Sequence, residues 1–154
     1  MEPKKTLLMM VGLPRSGKST VARNLALSHG YAVVNRDAVR LALHGMRFLP
    51  LAEPIVAAIT VIMVRALFMF HDTVVLDECN VSEKRRKEWL NNGWEVAYYL
   101  VDTPKDVCLG RAEMTADLEI MPVIERMANE WDYPYWHPVT GYPTQNDTDK
   151  VEES

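Results

Sequence analysis

The run Gly12-Leu13-Pro14-Arg15-Ser16-Gly17-Lys18-Ser19 constrains this chain more than any other stretch. It fits the pattern G-x-x-x-x-G-K-[ST], a loop whose backbone N–H groups cradle phosphate. The pattern carries that meaning between a strand and a helix, and both flanks are present. Thr6-Leu7-Leu8-Met9-Met10-Val11 is the unbroken apolar run that a strand covered on both faces requires. Beyond the loop, Val21, Ala22 and Leu25 recur at helical spacing. Gly12 and Gly17 let the backbone curl around an anion, and the helix that follows points its positive end at the same spot. Lys18 is placed to reach the terminal phosphates of a nucleoside triphosphate, and the Ser19 hydroxyl to ligate magnesium. The alternative, an ordinary turn with a helix-surface lysine, is disfavoured by the correct flanking elements. Gly12, Pro14, Arg15, Ser16, Gly17, Lys18, Ser19 and Thr20 are therefore the candidate nucleotide contacts, with ATP and Mg2+ as the implied cofactors.

The rest of the chain alternates strand and helix patterns. Gly30 closes the first helix, and Tyr31 to Asn35 forms a short apolar strand. Arg36 to Arg40 opens a helix that Asp37 either caps or joins in its first turn. A long apolar helix from about Ile55 to His71 precedes the strand Thr73 to Leu76, which ends in Asp77-Glu78-Cys79-Asn80. Ser82 caps a helix through Leu90, Trp94 to Val101 is a fourth strand, and Pro104 starts a helix from Lys105 to Ala112. Such alternation predicts a three-layer α/β/α sandwich on a parallel sheet. A single domain is expected over residues 1–144, with a lid at about 112–121, a helix from Pro122 to Asn129, and a polar, acidic tail over 145–154. The lid segment reads equally well as a plain connection between helices. In such sheets ligands sit beyond the carboxyl ends of the strands, so Asp37, Asp77 and the phosphate loop converge on one cleft.

Composition removes some function classes. The 154 residues carry a formal charge of −4, so no overall basic field draws nucleic acid, and any such contact needs a local basic groove. Cys79 and Cys108 lie far apart without a C-x-x-C pattern and read as free thiols in a reducing cytoplasm. The first residues lack the apolar run of a secretory signal. Ile55 to Phe70 is too short to span a membrane and is interrupted by Arg65, so it reads as a helix in a soluble core or at a subunit contact. No histidine shows metal-ligand spacing.

A kinase needs a group that takes the proton of an attacking hydroxyl, and cations that steady the moving phosphoryl group. Asp37 is the candidate base. Arg40, one helical turn on, shares its face and is placed to hold an anion on the acceptor. Taken alone, Asp37 is a helix cap and Arg40 a solvated face; paired at this cleft they point to chemistry. Asp77 is placed to hold magnesium or to position the nucleophile. Asn80 either bonds phosphate or fixes its turn. Arg111 and Arg126 flank the lid, and Arg15 is a further phosphate contact.

These motifs, read as a set, resemble the 5′-kinase domain of bacteriophage polynucleotide kinase. The resemblance rests on Gly12 to Thr20, on Asn35-Arg36-Asp37-Ala38-Val39-Arg40, and on Asp77-Glu78-Cys79-Asn80 with Arg85-Arg86 following. The Asp102-Thr103-Pro104 turn and the Pro122 to Met127 segment keep the same order, so it covers about residues 6–129. It implies Asp37 as general base, Arg40 on the phosphate 3′ of the accepting nucleotide, and Lys18 and Ser19 on the ATP phosphates and magnesium. It also implies Asp77 on the acceptor side and Arg111 as the first of two lid arginines. Three departures stand out. The second lid arginine would fall near Met114 or Thr115, leaving Arg126 to supply it; Cys79 replaces the family's usual threonine; and no phosphatase domain follows, so a bifunctional end-healing enzyme is not expected.

The resemblance implies a nucleic-acid hydroxyl as acceptor, most simply a 5′ end. Related phage kinases act on hydroxymethylated bases within DNA, and a small stand-alone chain fits them as well. A small-molecule acceptor and a nucleotide-dependent switch without transfer chemistry are the other readings. Trp131, Tyr133, Tyr135 and Trp136 read as a cluster pinning the C-terminal segment to the core, or as a platform for stacking bases.

Overall fold

Strand β1 (Thr6–Val11) is the axis on which the other elements are assembled, because both of its faces are covered. The computed structural model describes residues 4–133. Within them the chain runs β1, α1 (Lys18–His29), β2 (Ala32–Asn35), α2 (Arg36–His44), α3 (Glu53–Leu67), β3 (Thr73–Asp77), α4 (Glu83–Lys87), β4 (Glu95–Leu100), α5 (Lys105–Met114) and α6 (Met121–Glu130). Short 3-10 turns at Pro50–Ala52 and Leu118–Ile120 precede α3 and α6. The described strands form one parallel sheet in the order β2-β3-β1-β4. The three-layer α/β architecture expected from the sequence is the one observed.

Alternation along β1 shows how the layers are built. Leu7 and Met9 point to one face, where they meet Val64 and Phe68 from the α3 side and Trp89. Leu8 and Met10 point to the other, against Ala22 and Leu25 of α1. A third cluster joins α5 and α6 through Cys108, Ala112 and Ile124, and reaches Leu13 of the phosphate loop and Val81. This cluster seats the loop between the sheet and the α5–α6 pair.

Several local details decide between or adjust the sequence readings. The cap of α2 is Asn35, whose side chain accepts from the Ala38 amide at 2.8 Å, and Asp37 lies in the first turn. Helix α4 ends at Lys87, because residues 88–90 continue as tighter turns and Trp94 Nε1 donates to the Trp89 carbonyl at 3.0 Å. Helix α5 runs on to Met114, which shortens the connection before α6. Over residues 50–67 the chain is apolar and long enough to cross a membrane by length and composition alone. In the fold, α3 buries only the stripe Val56, Thr60 and Val64, while Ile55 and Ile62 are 56% and 64% exposed. The expected core helix is thus buried along one side only.

Both cysteines are free. Tyr133 packs under Val11 and Leu100, with its ring 5.6 Å from that of Tyr98 and 5.1 Å from the Arg86 guanidinium. Arg86 also donates to the Asn80 carbonyl and to Asp132. Trp131 and Tyr133 therefore do fasten the segment after α6 to the core. Tyr135, Trp136 and the 145–154 tail lie outside the described residues.

Leu76, fully buried near the end of β3, supports the carboxylate beside it. Leu76→Ala should cost about 2–5 kcal/mol of stability, measured by urea unfolding.

Candidate active site

The loop is shaped by contacts that leave no room for a side chain at its first glycine. A Cβ on Gly12 would lie 2.8 Å from both Ser16 Oγ and the Val101 carbonyl, and 3.2 Å from Lys18 Cγ. The Gly12 amide donates to the Cys79 carbonyl at 3.0 Å, and Thr103 Oγ1 donates to the Ser16 carbonyl at 2.8 Å. Ends of β3 and β4 thus hold the loop from two sides. Arg15 and Gly17 adopt left-handed backbone, with φ of 67° and 101°, and this turns the loop back into α1.

Inside this cradle the polar groups are set for an anion. Ser16 Oγ is buried without a hydrogen-bond partner. Lys18 Nζ, on a largely buried side chain, donates to the Leu13 carbonyl at 2.7 Å. A buried orphan hydroxyl, a glycine that no side chain can replace, and an ammonium folded over the loop fit a bound polyphosphate. Ser19 Oγ donates to Asp77 Oδ2 at 2.7 Å, bringing together the two groups assigned to the metal. One hydroxyl and one carboxylate form the sparse oxygen set on which magnesium is held together with nucleotide phosphates. The residues present therefore fit both ATP and magnesium.

The link between the two acidic strand ends is Asn35. Its Nδ2 donates to Asp77 Oδ2 at 2.8 Å, and its Oδ1 caps the helix that carries Asp37. Asp37 itself is 76% exposed, and it accepts from Arg40 Nη1 at 2.6 Å. Burial pushes the Cys79 thiol up from its usual value, with Lys18 opposing. Asn80, in left-handed backbone at φ 50°, donates from Nδ2 to the Met10 carbonyl at 2.8 Å. It ties the turn after β3 to β1.

The arginines divide into groups. Arg111, on α5, donates from Nη1 to the Arg15 carbonyl at 3.0 Å and stands 3.9 Å from where a Gly17 Cβ would lie. Arg15 returns the contact, donating to the Arg111 carbonyl and to the Thr115 hydroxyl. A cation from the loop thus stands beside Thr115, where the resemblance leaves the lid without its second arginine. Arg126 lies on the exposed side of α6, 3.9 Å from Glu130 and apart from this group. Pro14 is half-buried, whereas Thr20 is exposed on α1.

Four features escaped the sequence reading. Glu53, at the start of α3, accepts from Arg40 Nε at 2.7 Å and from Nη2 at 3.0 Å. The Arg40 guanidinium holds the Glu53 carboxyl below its ordinary value, against partial burial. Arg36 and Glu78 form a buried charge contact at 2.6 Å without well-aligned hydrogen-bond geometry, and burial pushes the Glu78 carboxyl up. Arg47, after α2, grips Asp117 through two bonds of 2.7 and 2.9 Å and touches Glu119 at 3.3 Å, joining the α2–α3 connection to the α5–α6 connection. The last is Asn35, for which an asparagine between a strand and a helix is a readable cap signal. The others pair residues remote in sequence and have no local signature.

The profile of a protein family described as an AAA domain matches residues 7–117. The chain belongs to that family. Among solved structures, a chain in a Pnkp1/Rnl/Hen1 complex is 27% identical with a TM-score of 0.65, covering 72% of this chain and 40% of that one. A chain of the Pnkp1/Rnl/Hen1 RNA repair complex is 20% identical with a TM-score of 0.65, over 86% of this chain and 48% of that one. This AAA-domain protein thus spans less than half the length of both. A gluconokinase from Sinorhizobium meliloti is 20% identical with a TM-score of 0.57, covering 90% and 80%. No curated protein matches the chain. The fold is that of a P-loop kinase similar to polynucleotide kinase, and it supports nucleotide binding and phosphotransfer.

Gly12→Ala should lower ATP affinity at least tenfold by calorimetry, because the new methyl meets backbone as well as the Ser16 hydroxyl. Gly30→Ala, whose Cβ meets nothing, should leave ATP binding intact and cost about 1 kcal/mol for its positive φ.

Proposed function

We propose that this protein is an ATP-dependent kinase that phosphorylates a hydroxyl on a nucleic acid, in the manner of a polynucleotide 5′-hydroxyl kinase. The observation that carries the reading is the hydrogen-bond chain from Ser19 through Asp77 to Asn35, which caps the helix bearing the exposed Asp37. It supports Asp37 as the carboxylate that meets a hydroxyl acceptor beside the phosphate loop. The likeness to chains of RNA repair complexes adds support for a polynucleotide acceptor. We assign a single kinase domain to residues 1–144, with its lid at 112–121, working in the cytoplasm.

In this reading Asp37 accepts the proton of the acceptor hydroxyl as its oxygen attacks the γ-phosphorus. The bond from that phosphorus to the ADP oxygen breaks, and ADP leaves. Lys18, Ser16 and the loop amides hold the phosphates, and Arg111 reaches them across Gly17. Arg15 is the nearer second cation, and Arg126 joins only through movement of α6. Magnesium, held by Ser19 and Asp77, would supply charge neutralisation on the transferring group. Arg40 fixes Asp37 and borders the acceptor. Asn80 serves the acceptor side by holding its turn.

A second acceptor class is favoured by one observation. Arg40 is already engaged by two carboxylates, which suits a hydroxyl without a neighbouring phosphate, such as one on a modified base within DNA or on a small molecule.

The test incubates the protein with labelled ATP, magnesium and a panel of 5′-hydroxyl oligonucleotides, hydroxymethyluracil DNA, nucleosides and gluconate. Transfer to a nucleic acid is expected, and labelling of gluconate or nucleosides alone would move the acceptor to small molecules. Asp37→Asn should lower transfer roughly 10²–10⁴-fold while ATP binding survives. Unchanged turnover in that variant would remove Asp37 as the base.

A further inference from the structure

We infer that α3 carries a self-association surface, and that its occupant is a second copy of this chain packed antiparallel on it. Of the fifteen large apolar side chains exposed among the described residues, ten lie within residues 41–70, so the exposure is concentrated in one stretch. Helix α3 presents two apolar faces. Val56, Thr60 and Val64 form its buried stripe. Opposite them Ile55, Ala58, Ile62 and Ala66 are exposed, and they share an arc of about 80° on a helix of 3.6 residues per turn. No charged side chain falls between Glu53 and Arg65. Leu51 before the helix and Met69 after it, 91% and 75% exposed, flank this face at its two ends.

The order of these residues says what covers them. Large and small side chains repeat symmetrically about position 60. With a two-fold axis at the level of Thr60, Ile55 of one copy meets Ala66 of the other, and Ala58 meets Ile62. Each isoleucine thus faces an alanine, which lets the two backbones approach and the side chains interlock. Leu51 of one copy falls at the same end of the pair as Met69 of the other. The antiparallel arrangement also sets helix ends of opposite polarity side by side. The charges that bound the face are already engaged: Glu53 holds Arg40 at 2.7 Å, and the Arg65 guanidinium lies 5.5 Å from the Trp94 ring. At 15 residues α3 is ~22 Å long. With Leu51, Met69 and Phe70 beyond its ends, the face reaches the scale of the ~800 Å² that each partner gives to a stable interface. A membrane is the poorer occupant. A helix lying in a lipid surface is rich in lysine and arginine along its polar side, and α3 has Arg65 alone, in a chain of formal charge −4.

The experiment follows the mass of the full chain by sedimentation equilibrium and native mass spectrometry, with circular dichroism as the check on folding. The wild type should dimerise reversibly. Ile62→Glu and Ala58→Lys each bury a charge in the seam and should weaken dimerisation roughly a hundredfold or more with an unchanged spectrum. Mixed in equal amounts, these two variants should recover a dimer containing one copy of each, because positions 58 and 62 face each other across the axis. Leu27→Glu, at an exposed apolar site on α1, should dimerise like the wild type. A wild type that stays monomeric at ~100 μM would overturn the inference. So would folded variants that still pair with themselves, or that fail to pair when mixed. If Ile62→Glu does not fold, Ile62→Ser takes its place with a smaller loss expected, and undiminished dimerisation of that variant overturns the inference as well. Binding of a monomeric wild type to vesicles of anionic phospholipid would give the face to a membrane instead.

Discussion

The hydrogen bond from Ser19 to Asp77 is the join on which the candidate site depends. It connects the first turn of α1, and with it the phosphate loop, to the carboxyl end of β3. Those two segments are about sixty residues apart, and neighbouring parallel strands bring them together without any contribution from propensity. Asn35 extends the same join to β2, because one amide serves both Asp77 and the start of α2. The register of three strands thus sets the spacing between the cradle and Asp37. A slip of any one strand would invert its core residues, so the buried alternation of β1 is what protects the site.

Charge in the cleft is arranged unevenly. Lys18 donates to the Leu13 carbonyl and Arg111 to the Arg15 carbonyl, and neither contact neutralises the cation. Arg36 and Arg40, after β2, are each matched to a carboxylate. A chain with a formal charge of −4 has no surplus to spend on a long anionic strand. In the proposed kinase reading, the asymmetry favours firm capture of a triphosphate.

The legible part of this protein was the part encoded locally. Glycine spacing, the apolar run of β1, Asp37 just past β2 and Asp77 at the end of β3 are contiguous signals, and from them the sheet follows. Helix bounds slipped by a few residues where aromatic packing decided the end, as at Trp89, whose carbonyl is claimed by Trp94. Arg40 was readable as a site residue, but its engagement was not. Glu53 looks in sequence like any acidic residue in a helix's first turn, and only the packing of α2 on α3 reveals its partner. Asn80 offered two roles, and its amide is spent on the Met10 carbonyl, a contact seventy residues distant that no spacing rule foretells.

In the proposed kinase reading, the clasp between Arg47 and Asp117 bears on access to the cleft. Both side chains reach solvent, and exposed pairs of this kind contribute little, because water screens them and two flexible chains must be ordered. The Asp117 carboxyl is nonetheless held below its ordinary value by the guanidinium, so the clasp stays charged at neutral pH and weakens only as pH falls through that lowered value. If the α5–α6 connection acts as the proposed lid, a two-pronged but solvated contact gives it a resting place without sealing it. The more buried pairs, Arg40 with Glu53 and Arg36 with Glu78, tie α2 to α3 and to the turn after β3, whereas the solvated one joins two connections at the surface.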